Sequence, residues 1–481
     1  MIKVNTPKIT VELFKLVDHS GQVAKKYDGS DKKFDITHLL GDGGSIHISK
    51  DIDQPCGSFS ISFSDKVGGN GNPDTVYALI EPMDLIEIRA SRESWKYQDG
   101  QYPLIMRGFV TTISRSEEVS SDGSPVRTVH VTGQDSGLLW VINNFDIQLA
   151  YVLEMRFISE AFFLQAAVGM ELTPFKVSKF MERVNELIMT EKISVLNAVS
   201  SKVIPSFNVK ATVNEGTVTP WAIGKFSGSY WDLLKNFCDR PWNELFIEDD
   251  GDIGHETPTI IFRPSPYKDI NGSYIMQDAA NPGIFTVIDT ALVSLNVARS
   301  RNRVSNIYWV PPGATSVETN LRALIRAMSN KKMLDFDYGN NSPSLFGYNR
   351  MAVNSALVNT EYHTMIAQLP SDQRPPENSN LLLWYEHRRD QLRDLNRDNV
   401  VWEEGDAVVK GDEHIKPGRF VTINRGSFYA EYYCNSVSHN FSPLHGWTAT
   451  LGLLRGTGFI FRRDQPGIYW KEGRKGPYSK P

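Results

Sequence analysis

The sequence predicts an α+β fold that is mainly β. It has two antiparallel β regions, a helical segment and a small α/β module between them, and a helical insertion in the second β region. Three observations predict this. Strict period-two alternation, clearest at Phe59-Ser-Ile61-Ser-Phe63-Ser64, marks half-buried strands toward both ends of the chain. Apolar residues spaced three and four apart replace that alternation in the middle and again between 320 and 400. The length, 481 residues, exceeds one ordinary domain, so several cores are expected.

Residues 1–135 read as strands. Ile9, Val11 and Leu13 alternate, and Leu85 to Ile88 repeats the pattern briefly. Met106 to Arg115 and Val126 to Gly133 flank a polar loop, Glu117 to Pro125, as a hairpin requires. Gly68 to Pro73 holds nothing that packs and reads as a loop. An antiparallel barrel or sandwich follows from this texture.

Residues 136–220 read as mainly helical. Ser136 to Leu172 is apolar without alternation, and Phe180, Val184, Leu187 and Ile188 form one helical stripe. Residues 221–284 form the small α/β module. Ser229 and Asp232 make a helix-capping signature, followed by Tyr230, Leu233, Leu234, Phe237 and Cys238 on one face. A strand at Glu244 to Glu248, a turn at Asp249 to Asp252 and a strand at Thr259 to Arg263 complete it.

Alternation resumes at Val293, Leu295 and Val297 and opens the second β region, residues 285–456. An insertion at about 320–400 interrupts it with two helical stretches. Leu321, Leu324, Ile325 and Met328 mark one, and Leu381, Tyr385, Leu392 and Leu395 the other. Strand texture returns from Gly418 to Leu454. Residues 457–481 read as an extended basic arm: from Arg462 on, six Lys or Arg face two acids, with Phe461, Tyr469 and Trp470 nearby.

Composition narrows the function. With 41% hydrophobic residues the chain can build real cores, which excludes wholesale disorder. A net charge of −5 excludes a chain that neutralises phosphates along its whole surface. No run of 18 apolar residues spans a membrane, and Met1 to Lys15 lacks a signal peptide's apolar centre. Cys56, Cys238 and Cys434 are far apart and odd in number, which points to a reducing compartment.

Motifs for chemistry are scarce. Gly41-Asp-Gly-Gly44 lacks the Gly-Lys-Ser/Thr ending of a phosphate loop and reads as a turn. The sequence contains no HExxH and no paired CxxC, and its ten histidines show no ligand spacing. Glu248-Asp-Asp-Gly-Asp252 lacks the alternate ligands of a calcium loop. Asp249 and Asp252 are therefore assigned to a hairpin turn. Gly228-Ser-Tyr230 and Gly426-Ser-Phe428 do not form a nucleophile elbow. Among 56 acids some pair always lies close, so carboxylate pairs carry no signal for a glycoside hydrolase. Tyr308-Trp309, Phe428-Tyr429, Tyr432-Tyr433 and Trp447 read as packing aromatics rather than a sugar platform. Glu386 to Asp398 reads as a charge-laced, solvated helix face. The expectation is a non-enzyme with no catalytic, cofactor-binding or metal-binding residues and no cofactor.

The order of these pieces resembles a family, the baseplate central hub proteins of contractile-tailed bacteriophages (the Mu-like hubs), related to the front domains of type VI secretion spike proteins. Arg107-Gly-Phe-Val110, Ser114-Arg115 and Val129-His-Val-Thr-Gly-Gln-Asp135 are similar to the segment closing the first hub barrel, with Gln134 where Arg is usual. Ser229 to Phe237, Glu244 to Phe262 and Arg263-Pro-Ser-Pro-Tyr267 resemble the hub's small α/β module. Val304-Ser-Asn306, Lys416-Pro-Gly418, Val437-Ser-His439-Asn-Phe441, Gly446-Trp-Thr448 and Leu451-Gly-Leu453-Leu-Arg455 are similar to the second barrel.

The resemblance spans about residues 5–456 and implies two tail-tube-like barrels. It also implies a structural virion protein of the tail baseplate, assembled in the host cytoplasm. A homotrimer would join the sixfold tail tube to the threefold central spike. Its implied partners are the spike, the tail tube or tube-initiator protein, the tape-measure protein and surrounding baseplate proteins. DNA would pass transiently without specific binding, and no stable membrane insertion is implied. A β-rich virion-associated cell-wall hydrolase and a carbohydrate-binding protein are the alternative readings.

Overall fold

A computed structural model describes residues 7–15, 33–41, 43–66, 75–98, 101–119, 125–146, 175–199, 203–218, 227–311, 333–355, 374–425, 428–443 and 446–458, with a few single residues between. The first β region comprises β1 (Lys8–Phe14), β2 (Lys33–Asp35), β3 (Ser45–Asp51), β4 (Ser58–Lys66), β5 (Leu85–Ser91), β6 (Leu104–Val119) and β7 (Pro125–Asp135). They pair in the order β3-β4-β7-β6-β5-β1-β2, every pair antiparallel. The alternation explains the pairing. Phe59, Ile61 and Phe63 meet Ile46, Ile48, Val129 and Val131 on one buried face. Gly133 allows a close approach: a Cβ there would sit 2.2 Å from the Phe59 ring and 2.3 Å from the Phe109 carbonyl.

The middle of the chain adds β8 (Asn144–Asp146), β9 (Phe175–Lys176), a helical run from Val177 to Val199, β10 (Asn208–Ala211), β11 (Thr217–Val218) and β12 (Ser227–Ser229). Of the helical stripe, Phe180, Val184 and Ile188 are buried. The Tyr230–Asn236 helix begins as its signature predicts, with Ser229 Oγ accepting from the Asp232 amide and Asp232 accepting from the Ser229 amide. β13 (Asn243–Asp250) and β14 (Thr257–Pro264) form a hairpin, with β10 parallel to β14. One apolar cluster takes in Phe180, Val184, Leu234, Ile260 and Phe262 together with Phe109 and Leu85 of the first β region.

The second β region comprises β15 (Ile284–Val287), β16 (Leu292–Ala298), β17 (Ile307–Trp309), β18 (Arg350–Ala352), β19 (Glu403–Lys410), β20 (Arg419–Arg425), β21 (Phe428–Ser442) and β22 (Gly446–Gly456). Its main order is β16-β19-β22-β21, with β20 on β21 and β15 parallel to β20. β3 and β21 also pair, so both β regions belong to one sheet of 13 strands among the described residues. The fold is α+β and mainly β.

Two readings need correction. β13 runs through Asp250, so Asp249 is not in the turn; it is paired in register with Pro258, and only Gly251 onward turns. The reason is ionic, since Asp249 is held by a lysine from β3. The second inserted helix, Arg374–Asn396, is not solvated along its charged stretch. Arg388, Arg389 and Gln391 are buried there, as is Asp398 just beyond it. Four expectations lie wholly or mostly outside the described residues: the loop 68–73, most of the apolar stretch 136–172, nearly all of the first inserted helix, and nearly all of the basic arm.

Candidate assembly surface

β21 carries the joint between the two β regions. Its first half pairs with β20 and its second half with β3, while β22 pairs with it from Tyr433 to Ser442. The register against β22 shifts between Cys434 and Ser436, and the Asn435 carbonyl turns to accept the Ile52 amide at 3.0 Å. Such a bulge twists a strand and lets one strand serve two neighbours. Across the seam Ser438 Oγ donates to Ser49 Oγ at 3.2 Å, and His47 Nδ1 lies 2.6 Å from Asn440 Oδ1.

Half-buried ion pairs tie the small module to this seam. Lys50 of β3 reaches Asp249 at 3.3 Å. Lys416 reaches Glu248 at 2.8 Å and the Asp249 carbonyl at 2.9 Å, and Arg419 reaches Glu248 at 2.9 Å. Glu244 accepts from Arg263 at 3.1 Å and from the Tyr433 hydroxyl at 2.7 Å. A second network holds the module's hairpin to β5 and β6. Arg89 binds Glu256 at 2.7 Å, and Arg107 binds Glu87 at 2.7 Å and the Glu256 carbonyl at 2.8 Å. Each pair bridges segments far apart in sequence or seats such a bridge, so together they fix the angle between module and sheet.

Beside Lys50, Asp135 accepts from the amides of Gly57 at 2.8 Å and Gly137 at 2.9 Å. Burial pushes its carboxyl up to about 6 against the pull of Lys50. Burial holds the nearby His439 down at about 4, with its ring accepting from Trp447 Nε1. The two act in opposite senses. Asp135 binds its proton more readily folded than unfolded, so its contribution falls as pH rises from about 4 to 6. His439 binds its proton more readily unfolded, so its contribution is lost as pH falls from about 6.5 to 4. His439→Gln removes the second effect alone. Its stability relative to the unsubstituted protein is expected to rise by up to about 3 kcal/mol between pH 7 and pH 4, read by denaturant unfolding. A constant difference across that range contradicts the buried neutral imidazole.

Asp135 and Asp249 flank one lysine, but the arrangement does not suit carboxylate catalysis. The cavity beside Lys50 and Asp249 is about 30 Å³, room for about one water and no substrate. A wider groove of about 330 Å³ runs past Lys210, Arg263 and Arg419, whose charges are paired with Asp250, Glu244 and Glu248. Asp412, Glu413 and His414 bring ligand atoms within 4.8 Å of one another. His414 already lies 2.8 Å from Asp412, while Glu413 accepts from Ser91 and the Arg92 amide. Asp252 lies in the hairpin loop, as assigned. Tyr308, Tyr432, Tyr433 and Trp447 are buried, as packing residues are. Lys50 was not singled out by sequence, and Asp135, Glu244 and Arg263 only as members of longer segments, because an ion pair between distant segments leaves no local spacing.

The outer face of the seam has its own character. One row of facing residues runs Thr450, Ser438, Ser49, Ser58, Gln134, and the next runs Thr448, Asn440, His47, Ser60, Thr132, Thr112. A third adds Ser45, Ser62, His130 and Ser114. Together these rows reach from β22 to β6 and none of the residues named is charged, while Asp51 of β3, opposite Ser436, and Lys410 of β19, opposite Thr448, border them.

Neither a family model nor a curated protein matches the chain. Solved structures do. The tail protein from Neisseria meningitidis MC58 aligns with a TM-score of 0.46 and 10% identity, covering 94% of this chain and 98% of that one. The 43 kDa tail protein of prophage MuSo2 from Shewanella oneidensis aligns at 0.47 and 11%, with the same coverage. The E. coli c3393 protein, a component of the type VI secretion system described as similar to the T4 tail proteins gp27 and gp5, aligns at 0.33 and 8%, covering 85% and 72%. The solved structures similar to this chain are thus two tail proteins and a component of the type VI secretion system.

Proposed function

We propose that this chain is the structural hub subunit of a contractile-tail baseplate, three copies of which form a ring that joins a sixfold tube to a threefold spike. The single observation that carries the proposal is the β3–β21 seam. One chain sets two antiparallel β regions edge to edge in a continuous sheet. If the same kind of contact repeats between chains, three chains give six β units around an axis and the ring closes. The division at 135, 220, 284 and 456 belongs to this reading, with residues 1–135 and 285–456 as the two barrels. So do the partners: spike, tube or tube-initiator, tape measure and surrounding baseplate proteins. The basic arm 457–481 is then a grip on one of them.

Native mass spectrometry with the spike tests the ring. Three hub chains per spike trimer are expected, with more than about 2,000 Å² buried at each obligate contact. A stable complex of one hub chain and one spike chain overturns the proposal. Deleting residues 462–481 is expected to weaken co-purification with the spike or its neighbours; unchanged assembly and infectivity leave the arm without that role.

A further inference from the structure

We propose that Lys15 and Asp84 condense within the folded chain into an isopeptide bond, with Glu81 carrying the protons, so that β1 is covalently stapled to the segment ahead of β5. Lys15 follows β1 and Asp84 precedes β5, and the two strands pair as far as Phe14 with Leu85, the last facing residues before them. Lys15 Nζ lies 2.5 Å from Asp84 Oδ2 and 3.2 Å from Glu81 Oε2, and it donates to the Leu79 carbonyl at 2.8 Å. The side chains of Lys15, Asp84 and Glu81 are only 4%, 2% and 8% exposed. Phe14, Ile80 and Leu85, next to them in sequence, are buried as well. The bond would join positions 69 residues apart. It would fasten a strand that lies one place from the end of the sheet order, where strands separate most readily.

Burial penalises an ammonium and two carboxylates together, and forming the amide removes two of the three charges at once. The placement favours the reaction. With a C–O bond of about 1.23 Å, Nζ stands at most about 3.7 Å from Asp84 Cγ, close to the roughly 3–3.5 Å of groups poised to react. Groups held in this way act as though present at about 10⁵–10⁸ M. The Glu81 amide donates to Asp84 Oδ2 at 2.8 Å, so the oxygen that gains charge on addition already has a donor. Glu81 first moves one proton from the ammonium to Asp84 Oδ1, which leaves a neutral amine beside a neutral acid. The Nζ lone pair then bonds to Cγ, and the C=O pair moves onto Oδ2. Glu81 moves a second proton from nitrogen to Oδ1. As the Oδ2 pair returns, the Cγ–Oδ1 bond breaks and that oxygen leaves as water. The third ammonium proton stays on the amide nitrogen, and Glu81 ends as the carboxylate it was. Nothing is oxidised or reduced, and no co-reactant is needed.

The intact mass of the purified full chain, taken after denaturation, tests the bond. The expected mass is one water below that of the sequence. Trypsin should then skip Lys15, and fragmentation should find the Lys15 peptide joined to Asp84. A chain at its full sequence mass overturns the proposal, and so does a bond from Lys15 to Glu81 instead. An aspartyl succinimide sheds the same water but is opened by hydroxylamine, whereas an amide is not. A deficit that hydroxylamine abolishes therefore also overturns the proposal.

Variants assign the roles. Lys15→Arg and Asp84→Ala should each show the full mass of their own sequences, and a deficit that persists in either places the bond elsewhere and overturns the proposal. Both variants also lose a buried ion pair, so Glu81→Gln gives the sharper reading. It keeps the size of the side chain and the backbone amide on Asp84 while removing the proton carrier. Glu81→Gln should fold, as read by circular dichroism, and yet keep its full sequence mass. Cross-linking of Glu81→Gln to the same extent as the unsubstituted chain overturns the part given to Glu81. The mass of the unsubstituted chain decides the bond itself whether or not a variant folds.

Discussion

Arg388→Met is expected to destabilise the protein by about 3–5 kcal/mol, although the side chain comes from a helix rich in charged residues. Arg388 is fully buried between that helix and the small module. Its Nε lies 3.3 Å from Asp239 and its Nη1 3.1 Å from Glu215. Trp384 stacks at 4.2 Å and Trp242 at 5.4 Å, and Trp242 Nε1 donates to the Arg388 carbonyl at 3.0 Å. Burial lowers its pKa despite both carboxylates, which is the mark of a cation held at a desolvation cost.

Methionine fills the space but leaves the Asp239 carboxylate buried opposite an apolar chain. The double variant with Asp239→Asn is expected to recover a large part of the loss, since it removes the buried charge that faced Arg388. Arg388→Lys should recover little, because an ammonium cannot stack flat between two indoles while reaching both acids. Denaturant unfolding followed by tryptophan fluorescence reads all three, and a loss below about 1 kcal/mol for Arg388→Met rejects the account.

How much of this was legible in the sequence depends on how local each cause is. Phe59, Ile61 and Phe63 alternate because their own strand has one buried face, so β4 was readable without its partners. The capping pair Ser229 and Asp232 lies within four residues and was found as expected. The β6–β7 hairpin was readable for the same reason, since its two strands adjoin. β3 was missed: only Ile46 and Ile48 are buried in it, and Ser45, His47 and Ser49 look like loop residues until their partners are known. The seam itself joins residues such as His47 and Asn440, which are 393 positions apart. No local pattern encodes that pairing. Arg388 was misread for a related reason. Its helix has the composition of a solvated one, and only the acids and tryptophans of distant segments make burial tolerable. Asp249 was placed in a turn because the run of acids and glycine favours one, while Lys50 on β3 keeps it in the strand.

Ser438→Pro is expected to cost at least about 3 kcal/mol and to uncouple the two β regions. Ser438 sits at the centre of β21, facing Ser49 of β3 on one side and Thr450 of β22 on the other. It has no solvent edge, so proline removes a ladder hydrogen bond and leaves a buried carbonyl on the neighbouring strand without its donor. The pyrrolidine ring also meets a strand on either side, where an edge position would have given it room. Ser438→Thr keeps the amide and the hydroxyl on a strand that favours β-branched residues, and should stay within about 0.5 kcal/mol. Thermal unfolding separates these two variants. Limited proteolysis then shows where the loss falls: in Ser438→Pro, fragments should separate the first β region from the second while the module's hairpin stays protected. A proline variant with unchanged unfolding and an intact digestion pattern would mean that β3 and β21 do not form the joint, and the edge-to-edge basis of the ring would go with it.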